Sequence, residues 1–401
     1  MTKKSLSWSR RAFLKSACAA GVGSVMTFKN FATFASDNAT IVPTRPFGKT
    51  GIKVPILGFG TSLHAAFSQL LLRQAVKWGV TYWDTANTYM GGNSEKAIGK
   101  YFDKYPQDRK KVFLVTKSHA WSADDRTRDL NLSLKRMQTD YVDLYFVHSV
   151  RNADELDGQT KRWAQKAKAE GKIRFFGFST HSNMEECLLE AARLGWIDGI
   201  MMTYNFRLMH SDDMRRAVDA CVKAGIGLTA MKTQGGGQVK TDTAAELELA
   251  GRFLQKGFTD GQAKLKAVWQ NPQIASICSE MPNMNLLMSN VAAAVNKIEL
   301  SSQERQLLRK YARQTRSDYC AGCTGICESA VRPKVPIGDV MRYLMYARSY
   351  GNHPKASNHF KQISLKCREK IIHLDYAAAE QKCPHKMAIG KLMREAVKDL
   401  S

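Results

Sequence analysis

Val-Asp-Leu-Tyr-Phe-Val-His at residues 142–148 and Ile-Arg-Phe-Phe-Gly-Phe-Ser at residues 173–179 are two short apolar runs, separated by an amphipathic segment at 158–170. Runs of this kind, rich in aromatic and β-branched residues, predict buried strands, and the segment between them predicts a helix. A strand, a helix and a second strand in this order favour two parallel strands joined by a helical crossover. The stretch therefore predicts one unit of a parallel α/β sheet.

The same alternation extends in both directions, from about residue 45 to residue 300. Further strands are predicted at Val54–Gly58, Tyr82–Asp84, Val112–Lys117, Gly199–Thr203, Gly227–Met231 and Ile274–Ser279. Helices are predicted at Ser94–Tyr105, Asp124–Met137, Gly158–Glu170 and Asp212–Lys223. Eight strands alternating with helices over about 250 residues predict a (β/α)8 TIM barrel, a fold of the α/β class. No G-x-G-x-x-G run follows a predicted strand, so a Rossmann domain is not expected.

Polar side chains stand at or just after the ends of three predicted strands. Asp84 ends one strand and Tyr89 follows it by five residues, Lys117 ends the next strand, and His148 ends the one after that. In a TIM barrel the carboxyl ends of the strands meet at one mouth, where the chemistry takes place. These four side chains are therefore expected to converge, although each alone is better explained as an ordinary polar residue of a barrel rim.

This set of residues, in this order, resembles the catalytic residues of the aldo-keto reductases. The resemblance implies the reduction of a carbonyl group, which needs a hydride on carbon and a proton on oxygen. The hydroxyl of Tyr89 could supply the proton, and a nearby Lys117 ammonium would lower the pKa of the phenol from about 10. Asp84 would keep Lys117 charged and oriented. His148 would donate a hydrogen bond to the substrate oxygen and orient it.

The residues around these positions resemble the aldo-keto reductase family. Asp84-Thr85-Ala86 leads to Tyr89 and then to Gly92-Asn93-Ser94-Glu95, residues 133–144 resemble the stretch before the family's catalytic histidine, and residues 45–51 resemble its N-terminal hairpin. The likeness covers residues 45–296. It implies interconversion of a small carbonyl or alcohol substrate, with NAD(P)H as the cofactor. The positions that it places at the cofactor are Gly60, Thr61, Ser62 and Ser179.

Two positions depart from the cofactor pattern of that family. The family usually has Gln where this chain has Met201, although the Tyr204-Asn205 pair that follows is present. After the last strand the family commonly carries positive charge for the 2′-phosphate of NADP, whereas this chain has Glu280, and a carboxylate repels a phosphate. NADP, NAD and no nicotinamide all stay open. So does the alternative of a non-catalytic or cofactor-poor barrel that serves as an exported electron-transfer or binding protein.

Residues 301–401 predict a mainly helical C-terminal domain with an iron–sulfur site. Three cysteines are clustered and a fourth, followed by proline, comes much later; they are Cys320, Cys323, Cys327 and Cys383. This spacing resembles the ligand pattern of bacterial ferredoxins, so the four thiolates are expected to hold one [4Fe–4S] cluster that relays electrons. A zinc site and disulfide bonds stay open as alternatives, as does Cys367 in place of Cys383. Helices are predicted at Gly338–Tyr350, His359–Tyr376 and Ile389–Leu400.

Residues 1–35 predict an export signal. Ser-Arg-Arg-Ala-Phe-Leu-Lys at residues 9–15 closely matches the twin-arginine translocation motif, and a mildly apolar stretch follows at 16–28. That stretch is shorter than the roughly 20 residues of a membrane span and suits a signal peptide, for which Thr33-Phe34-Ala35 offers a cleavage site. The motif predicts export of the folded protein to the periplasm by the twin-arginine translocation machinery, with no stable membrane span.

The formal net charge is +24. Six of the basic residues, and no acidic residue, lie in the first 35 positions, while residues 301–401 carry nineteen Lys or Arg against nine Asp or Glu. No run of five basic residues and no nucleic-acid-binding motif is present, so nucleic acid is not an expected partner. The excess charge is more typical of a solvated basic surface than of a docking face, although it would also suit an acidic redox partner.

Overall fold

The computed structural model describes residues 41–62, 69–237 and 244–401. The predicted export signal at 1–35 therefore lies outside the described residues. In the part of the chain that is described, no helix has the length and apolar character needed to cross a membrane.

A two-stranded antiparallel hairpin precedes the main sheet, with β1 at Thr44–Pro46 and β2 at Lys53–Pro55. Its turn carries Phe47, whose side chain is fully buried against the amino-terminal ends of two barrel strands. Those strands begin at Gly199 and Gly227, where a Cβ atom would lie within 3 Å of the Phe47 ring. The hairpin that the sequence predicts at 45–51 is thus confirmed, and it closes the bottom of the barrel.

Eight parallel strands form a closed barrel in which each strand pairs with the next along the chain and the last pairs with the first. The strands are β3 (Leu57–Gly60), β4 (Tyr82–Asp84), β5 (Phe113–Ser118), β6 (Val142–Val147), β7 (Ile173–Thr180), β8 (Gly199–Thr203), β9 (Gly227–Met231) and β10 (Ser276–Glu280). Nearly every strand residue is buried, which fits the continuous apolar runs of the sequence. The predicted TIM barrel is confirmed.

Helices follow the strands and surround the barrel. They are Gln69–Lys77, Asn93–Lys104, Ala123–Met137, Gly158–Ala169, Met184–Leu194, Asp212–Lys223, Ala244–Gln255, Asp260–Trp269 and Met284–Val295. Several begin at a capping residue whose side chain accepts a hydrogen bond from the backbone of the first turn, such as Ser122, Asp157 and Ser211. The four helices predicted from sequence in this region agree with the structure to within one residue at each end.

One predicted strand is wrong in its position. The run Val54–Gly58 is divided in the structure, because Val54 belongs to hairpin strand β2 and barrel strand β3 begins only at Leu57. Ile56 lies between them, and its carbonyl accepts hydrogen bonds from the Trp269 indole and from the backbone of Ile277. The apolar run is continuous because both strands are buried, so hydrophobicity alone does not mark the break.

The C-terminal segment, residues 301–401 and hereafter the tail, is helical, as expected. Its helices are Ser302–Gln314, Thr324–Cys327, Ile337–Arg348, His353–Lys361, Leu365–Ile371, Ala377–Lys382 and Ile389–Leu400. The single helix predicted at His359–Tyr376 is wrong, because the chain breaks after Lys361 and restarts at Ser364, whose hydroxyl caps the next helix by accepting from the Cys367 backbone. The tail has a hydrophobic core of its own, centred on residues such as Val340, Phe360 and Met393.

The tail lies across the carboxyl-terminal mouth of the barrel. The Tyr319 hydroxyl accepts a hydrogen bond of 2.9 Å from Asn205, just after β8, and the carbonyl of Gly322 accepts one of 2.8 Å from the backbone of Asn183, after β7. Arg151, after β6, forms ion pairs with Glu328 and Asp339 of the tail. Residues 41–401 accordingly form one compact unit. From Cys327 onward the tail has a hydrophobic core of its own, whereas Leu308 and Tyr311 at its start pack with Phe206 of the barrel.

Candidate active site

A buried ion pair lies at the mouth of the barrel, between the carboxyl ends of β4 and β5. The Lys117 ammonium donates to the Asp84 carboxylate at 2.6 Å and to the carbonyl of Thr85 at 2.7 Å. Both side chains are almost fully buried, at 1% and 3% exposure. A lone charge in such a position would be very unfavourable, and removing one partner of a buried pair typically costs about 3–5 kcal/mol. Lys117 and Asp84 therefore hold each other in place.

The residues after β4 explain why the sequence has Gly, Ser and Glu at fixed spacing. The Ser94 hydroxyl lies 2.7 Å from the hydroxyls of both Thr61 and Thr85, so it ties the ends of β3 and β4 together. Glu95 is fully buried; it accepts from Thr116 at 2.7 Å and pairs with Arg136 at 3.2 Å. These contacts fix the loop that carries the candidate tyrosine.

Gly92 makes room for that arrangement. Its backbone has φ +89°, and a Cβ atom there would lie 2.4 Å from the Arg136 guanidinium carbon. Arg136 in turn donates to the carbonyl of Asn87, within the same loop, at 2.9 Å. Only glycine meets both the conformational and the steric demand at this position.

Tyr89, Lys117 and His148 lie together, as the sequence predicts. The Lys117 ammonium is 4.9 Å from the centre of the Tyr89 ring, and the Tyr89 and His148 rings meet edge to face with centres 5.7 Å apart. Nδ1 of His148 is buried and has no hydrogen-bond partner among the described residues. Since Asp84 is paired with Lys117, the barrel brings all four predicted catalytic side chains to one place.

The lowering of the Tyr89 pKa that Lys117 predicts is not the net result at this site, where the pKa of Tyr89 is raised. Burial raises the pKa of Tyr89 well above its ordinary value of 10.0, and Asp84, Cys278 and Glu280 nearby raise it further. Tyr89 is thus a firmly protonated phenol. Burial lowers the pKa of His148 well below 6.5, and the neighbouring His119 and Lys117 add to that shift, so the imidazole is neutral. Both groups are in the protonation state of a hydrogen-bond donor.

Three further side chains at the mouth were not found from the sequence. His119, after β5, stacks on His148 with ring centres 4.2 Å apart. His181, after β7, lies 3.2 Å through its Nδ1 from the ammonium nitrogen of Lys232, after β9. Each directly follows a strand of the barrel, and a position close behind a predicted strand was the available signal. Burial lowers the pKa of each of the three side chains, most strongly for His181 and Lys232.

The predicted cofactor positions lie at the ends of β3 and β7. Gly60 ends β3, and a Cβ atom there would be 3.2 Å from the Cys278 sulfur. The Thr61 side chain is fully buried, and its hydroxyl donates a hydrogen bond of 2.7 Å to the backbone carbonyl of Asp84. Thr61 therefore helps to hold the backbone of the ion-pair residue Asp84 in place. The Ser179 hydroxyl accepts from the backbone of Ser149 at 3.1 Å.

Ser62, the remaining cofactor position, contacts the tail. Its hydroxyl donates to the carboxylate of Glu280 and accepts from the ammonium of Lys355 at 2.7 Å. Lys355 is also 3.8 Å from Glu280. The sequence around Glu280 lacks the positive charge that is common in the family. In the structure Lys355 of a tail helix, 75 residues further along the chain, supplies a positive charge there.

The four cysteines of the tail line one small cavity. Its wall consists of these cysteines, of mainly apolar residues, and of Thr324 and His385. The lining includes Cys320, Cys323, Cys327, Cys383, Ile337, Met341, Met387 and Ile389. Cys367 does not line it. All eight cysteines of the described ranges are free thiols, which does not support the disulfide alternative. Within those same ranges, no three His, Cys, Asp or Glu side chains are grouped so as to hold a metal ion.

Comparison with known proteins points to one enzyme family. The profile of the Aldo/keto reductase family matches residues 57–302. L-galactose dehydrogenase of Arabidopsis thaliana is 25% identical over 298 residues, which cover 67% of this chain and 93% of that protein. A crystal structure of an aldo-keto reductase from Klebsiella pneumoniae in complex with NADPH is 26% identical, with a TM-score of 0.56, and covers 68% of this chain and 96% of that one. An aldo-keto reductase from Bacillus halodurans, 23% identical with a TM-score of 0.57 over 67% of this chain and 96% of that one, shares the fold.

The neutral histidines predict a pH dependence of stability. An unfolded histidine binds a proton with a pKa of about 6.5, whereas burial keeps the folded His148 neutral well below that value. As the pH falls below about 6.5 the unfolded chain takes up protons that the folded chain does not, so the free energy of unfolding falls. His148→Gln removes one such group and should make this fall shallower, by at most about 1.4 kcal/mol per pH unit.

Denaturant titrations at about pH 7, 6 and 5 measure the effect. His373→Gln, at an exposed position, is the matched control and should leave the slope unchanged. Equal slopes for wild type and His148→Gln would contradict a buried neutral imidazole.

Proposed function

The chain belongs to the aldo/keto reductase family of oxidoreductases, and on that premise we propose that it reduces a small carbonyl compound to an alcohol outside the cytoplasm, with Tyr89 as the proton donor. The observation that carries this proposal is the convergence of Asp84, Lys117, Tyr89 and His148 at the mouth of the barrel. No observation favours the alternative of a non-catalytic barrel.

The protonation states favour reduction over oxidation. In reduction, hydride adds to the carbonyl carbon and the Tyr89 phenol gives its proton to the oxygen, after which the tyrosinate regains a proton from solvent. Oxidation of an alcohol would need Tyr89 to start as a tyrosinate, which burial and the nearby acidic groups disfavour by raising its pKa. Lys117, whose ammonium lies 4.9 Å from the centre of the Tyr89 ring, stabilises the transient tyrosinate. The neutral His148 donates a hydrogen bond to the carbonyl oxygen of the substrate.

A reduced nicotinamide, such as the NADPH bound by the Klebsiella pneumoniae relative, would supply the hydride. The hydroxyls of Ser62 and Ser179 at the ends of β3 and β7 suit the polar groups of a dinucleotide, and Lys355 offsets the charge of Glu280 beside them. The donors present therefore fit this cofactor. At Gly60 the absence of a side chain leaves room for Cys278 and the backbone of Ser279 in β10. The Thr61 side chain acts through Asp84 rather than by contact with the cofactor.

The tail holds a [4Fe–4S] cluster in this proposal. Cys320, Cys323, Cys327 and Cys383 are four free thiols around one apolar cavity, and a cubane needs thiolates spread around a space, whereas a single ion needs them to converge on a point. When bound, the cluster would exchange single electrons. Cys383 brings a distant part of the tail to the other three cysteines, so the cluster would also tie the fold of the tail together.

An acidic redox partner suits the surface next to Cys383. Lys382 and Lys386 are exposed on either side of this cysteine, and the partly buried His385 lines the cavity. Positive charge at the point where a cluster comes nearest to solvent would attract and orient an acidic electron-transfer protein. The cluster would thereby relay electrons to or from that partner.

The periplasm is the proposed location. Its support is the twin-arginine motif at residues 9–15, followed by a short apolar stretch and a cleavage site in the expected order. The twin-arginine machinery carries folded proteins, which would allow the cluster to be inserted before export. This route suits a protein whose tail and barrel pack together.

The role of Tyr89 as proton donor can be tested directly. Tyr89→Phe keeps the ring but removes the proton, so the rate of NADPH-dependent carbonyl reduction should fall by about 10²–10⁴. Tyr141→Phe, at the amino-terminal end of β6 on the opposite side of the barrel, is the matched control and should keep the wild-type rate. Turnover by Tyr89→Phe at the control rate would exclude the proposed chemistry.

Iron and sulfide analysis of anaerobically purified protein tests the cluster. Cys383→Ala should lose iron and make the tail sensitive to limited proteolysis, because it removes a thiol of the cavity and the link across the tail. Cys367→Ala is the matched control and should retain full iron, since Cys367 lies outside the cavity. Full iron in the first variant, or loss of iron in the second, would show that the fourth ligand is wrong.

Export can be followed by cell fractionation. Replacing Arg10 and Arg11 by Lys keeps the charge but removes the motif, so the unprocessed protein should accumulate in the cytoplasm. Replacing Lys3 and Lys4 by Arg, outside the motif, should leave export intact. Normal periplasmic accumulation of the Arg10/Arg11 variant would refute the twin-arginine route.

A further inference from the structure

The mouth of the barrel holds a lysine, Lys232, that the carbonyl chemistry described above does not use. Lys232 follows β9 directly, and its backbone φ is +54°, in the left-handed region that residues with side chains rarely adopt. Such a conformation persists only where the surrounding structure enforces it, and it is found most often at ligand sites. The position therefore calls for a functional explanation.

The side chains in direct contact with the Lys232 ammonium are uncharged. It lies 3.2 Å from Nδ1 of His181 and 3.8 Å from the sulfur of Met231. In the described ranges of the chain, no carboxylate is within ion-pair distance of it, whereas the two nearby cations of the tail each have one. Those pairs are Lys355 with Glu280 at 3.8 Å and Arg342 with Asp339 at 2.6 Å.

Both tail cations are close to Lys232. The Tyr346 ring is close to both Lys232 and Lys355. Its centre is 5.6 Å from the Lys232 nitrogen and 5.2 Å from the Lys355 nitrogen. Arg342 is one helical turn before Tyr346 on the helix Ile337–Arg348. Burial lowers the pKa of Lys232 well below 10.5, and Arg342 and Lys355 lower it further. A positive charge on Lys232 is thus unfavourable until an anion joins it.

We propose that Lys232 binds an anionic oxygen group of the carbonyl substrate. His181 connects this position to the catalytic groups, because it touches Lys232 and stands at the end of β7, next to β6 and His148. An anionic group at Lys232 would therefore lie beside a carbonyl held by Tyr89 and His148. The preferred substrates are short carbonyl compounds that carry a carboxylate or phosphate, such as 2-oxo acids.

The inference rests on the proposed function in one respect: that the bound anion belongs to a substrate of carbonyl reduction. A phosphate of a nicotinamide dinucleotide carries the same anionic oxygens, so the test must separate these two sources. A measurement of binding without turnover separates the two sources. It also distinguishes failure of this inference from failure of the proposed reaction, because the reaction is tested independently by Tyr89→Phe.

Titration calorimetry of the full-length protein with two probes decides the matter. The probes are oxamate, an unreactive amide analogue of a 2-oxo acid, and NADP⁺. Lys232→Gln should weaken oxamate binding by about ten- to a hundredfold, the range for a lost hydrogen bond to a charged group, and should leave NADP⁺ binding unchanged. Lys232→Arg should restore most of the oxamate affinity, since the charge is retained.

Lys161→Gln, an exposed lysine on the helix Gly158–Ala169, makes the same change of charge at the surface and should bind both probes like wild type. Failure of wild type to bind oxamate, or unchanged oxamate affinity in Lys232→Gln, would overturn the proposal. Loss of NADP⁺ affinity with oxamate affinity retained would overturn it as well, because the anion would then belong to the dinucleotide.

Discussion

The arrangement of side chains at the mouth of this barrel depends on one buried ammonium group, that of Lys117. Lys117 is 1% exposed and is stable there because Asp84 and the Thr85 carbonyl receive its hydrogen bonds. Thr61 and Ser94 fix the backbone that presents these acceptors. Without this support the buried ammonium would have no counterion, which is strongly unfavourable.

The tail is part of the active site rather than an appendage. Helix Ile337–Arg348 and the helix after it bring Arg342, Tyr346 and Lys355 to the barrel mouth, where they face Lys232 and the Ser62–Glu280 pair. The same segment forms part of the wall of the cysteine cavity through Ile337 and Met341. One short helix thus connects the proposed cluster site with the proposed carbonyl site.

The sequence allowed the barrel and its tetrad to be predicted because both are encoded locally. Buried parallel strands are continuous apolar runs, and Asp84, Lys117 and His148 end three of them, so their convergence follows from the fold. The contributions of Lys232, Arg342 and Lys355 could not be predicted, because they arise from packing between segments far apart in the chain. The sign of the pKa shift of Tyr89 was missed for a related reason: it depends on burial and on Cys278 and Glu280, which belong to the last strand.

The central claim is that hydride reaches a carbonyl carbon at this site while Tyr89 protonates the oxygen. It is tested most directly by incubating the purified full-length protein with NADPH deuterated at the transferable C4 position and a 2-oxo acid, and by analysing the product by mass spectrometry. The account predicts a 2-hydroxy acid that carries one deuterium on the carbinol carbon. A product without deuterium at that carbon, or no alcohol product at all, would contradict it.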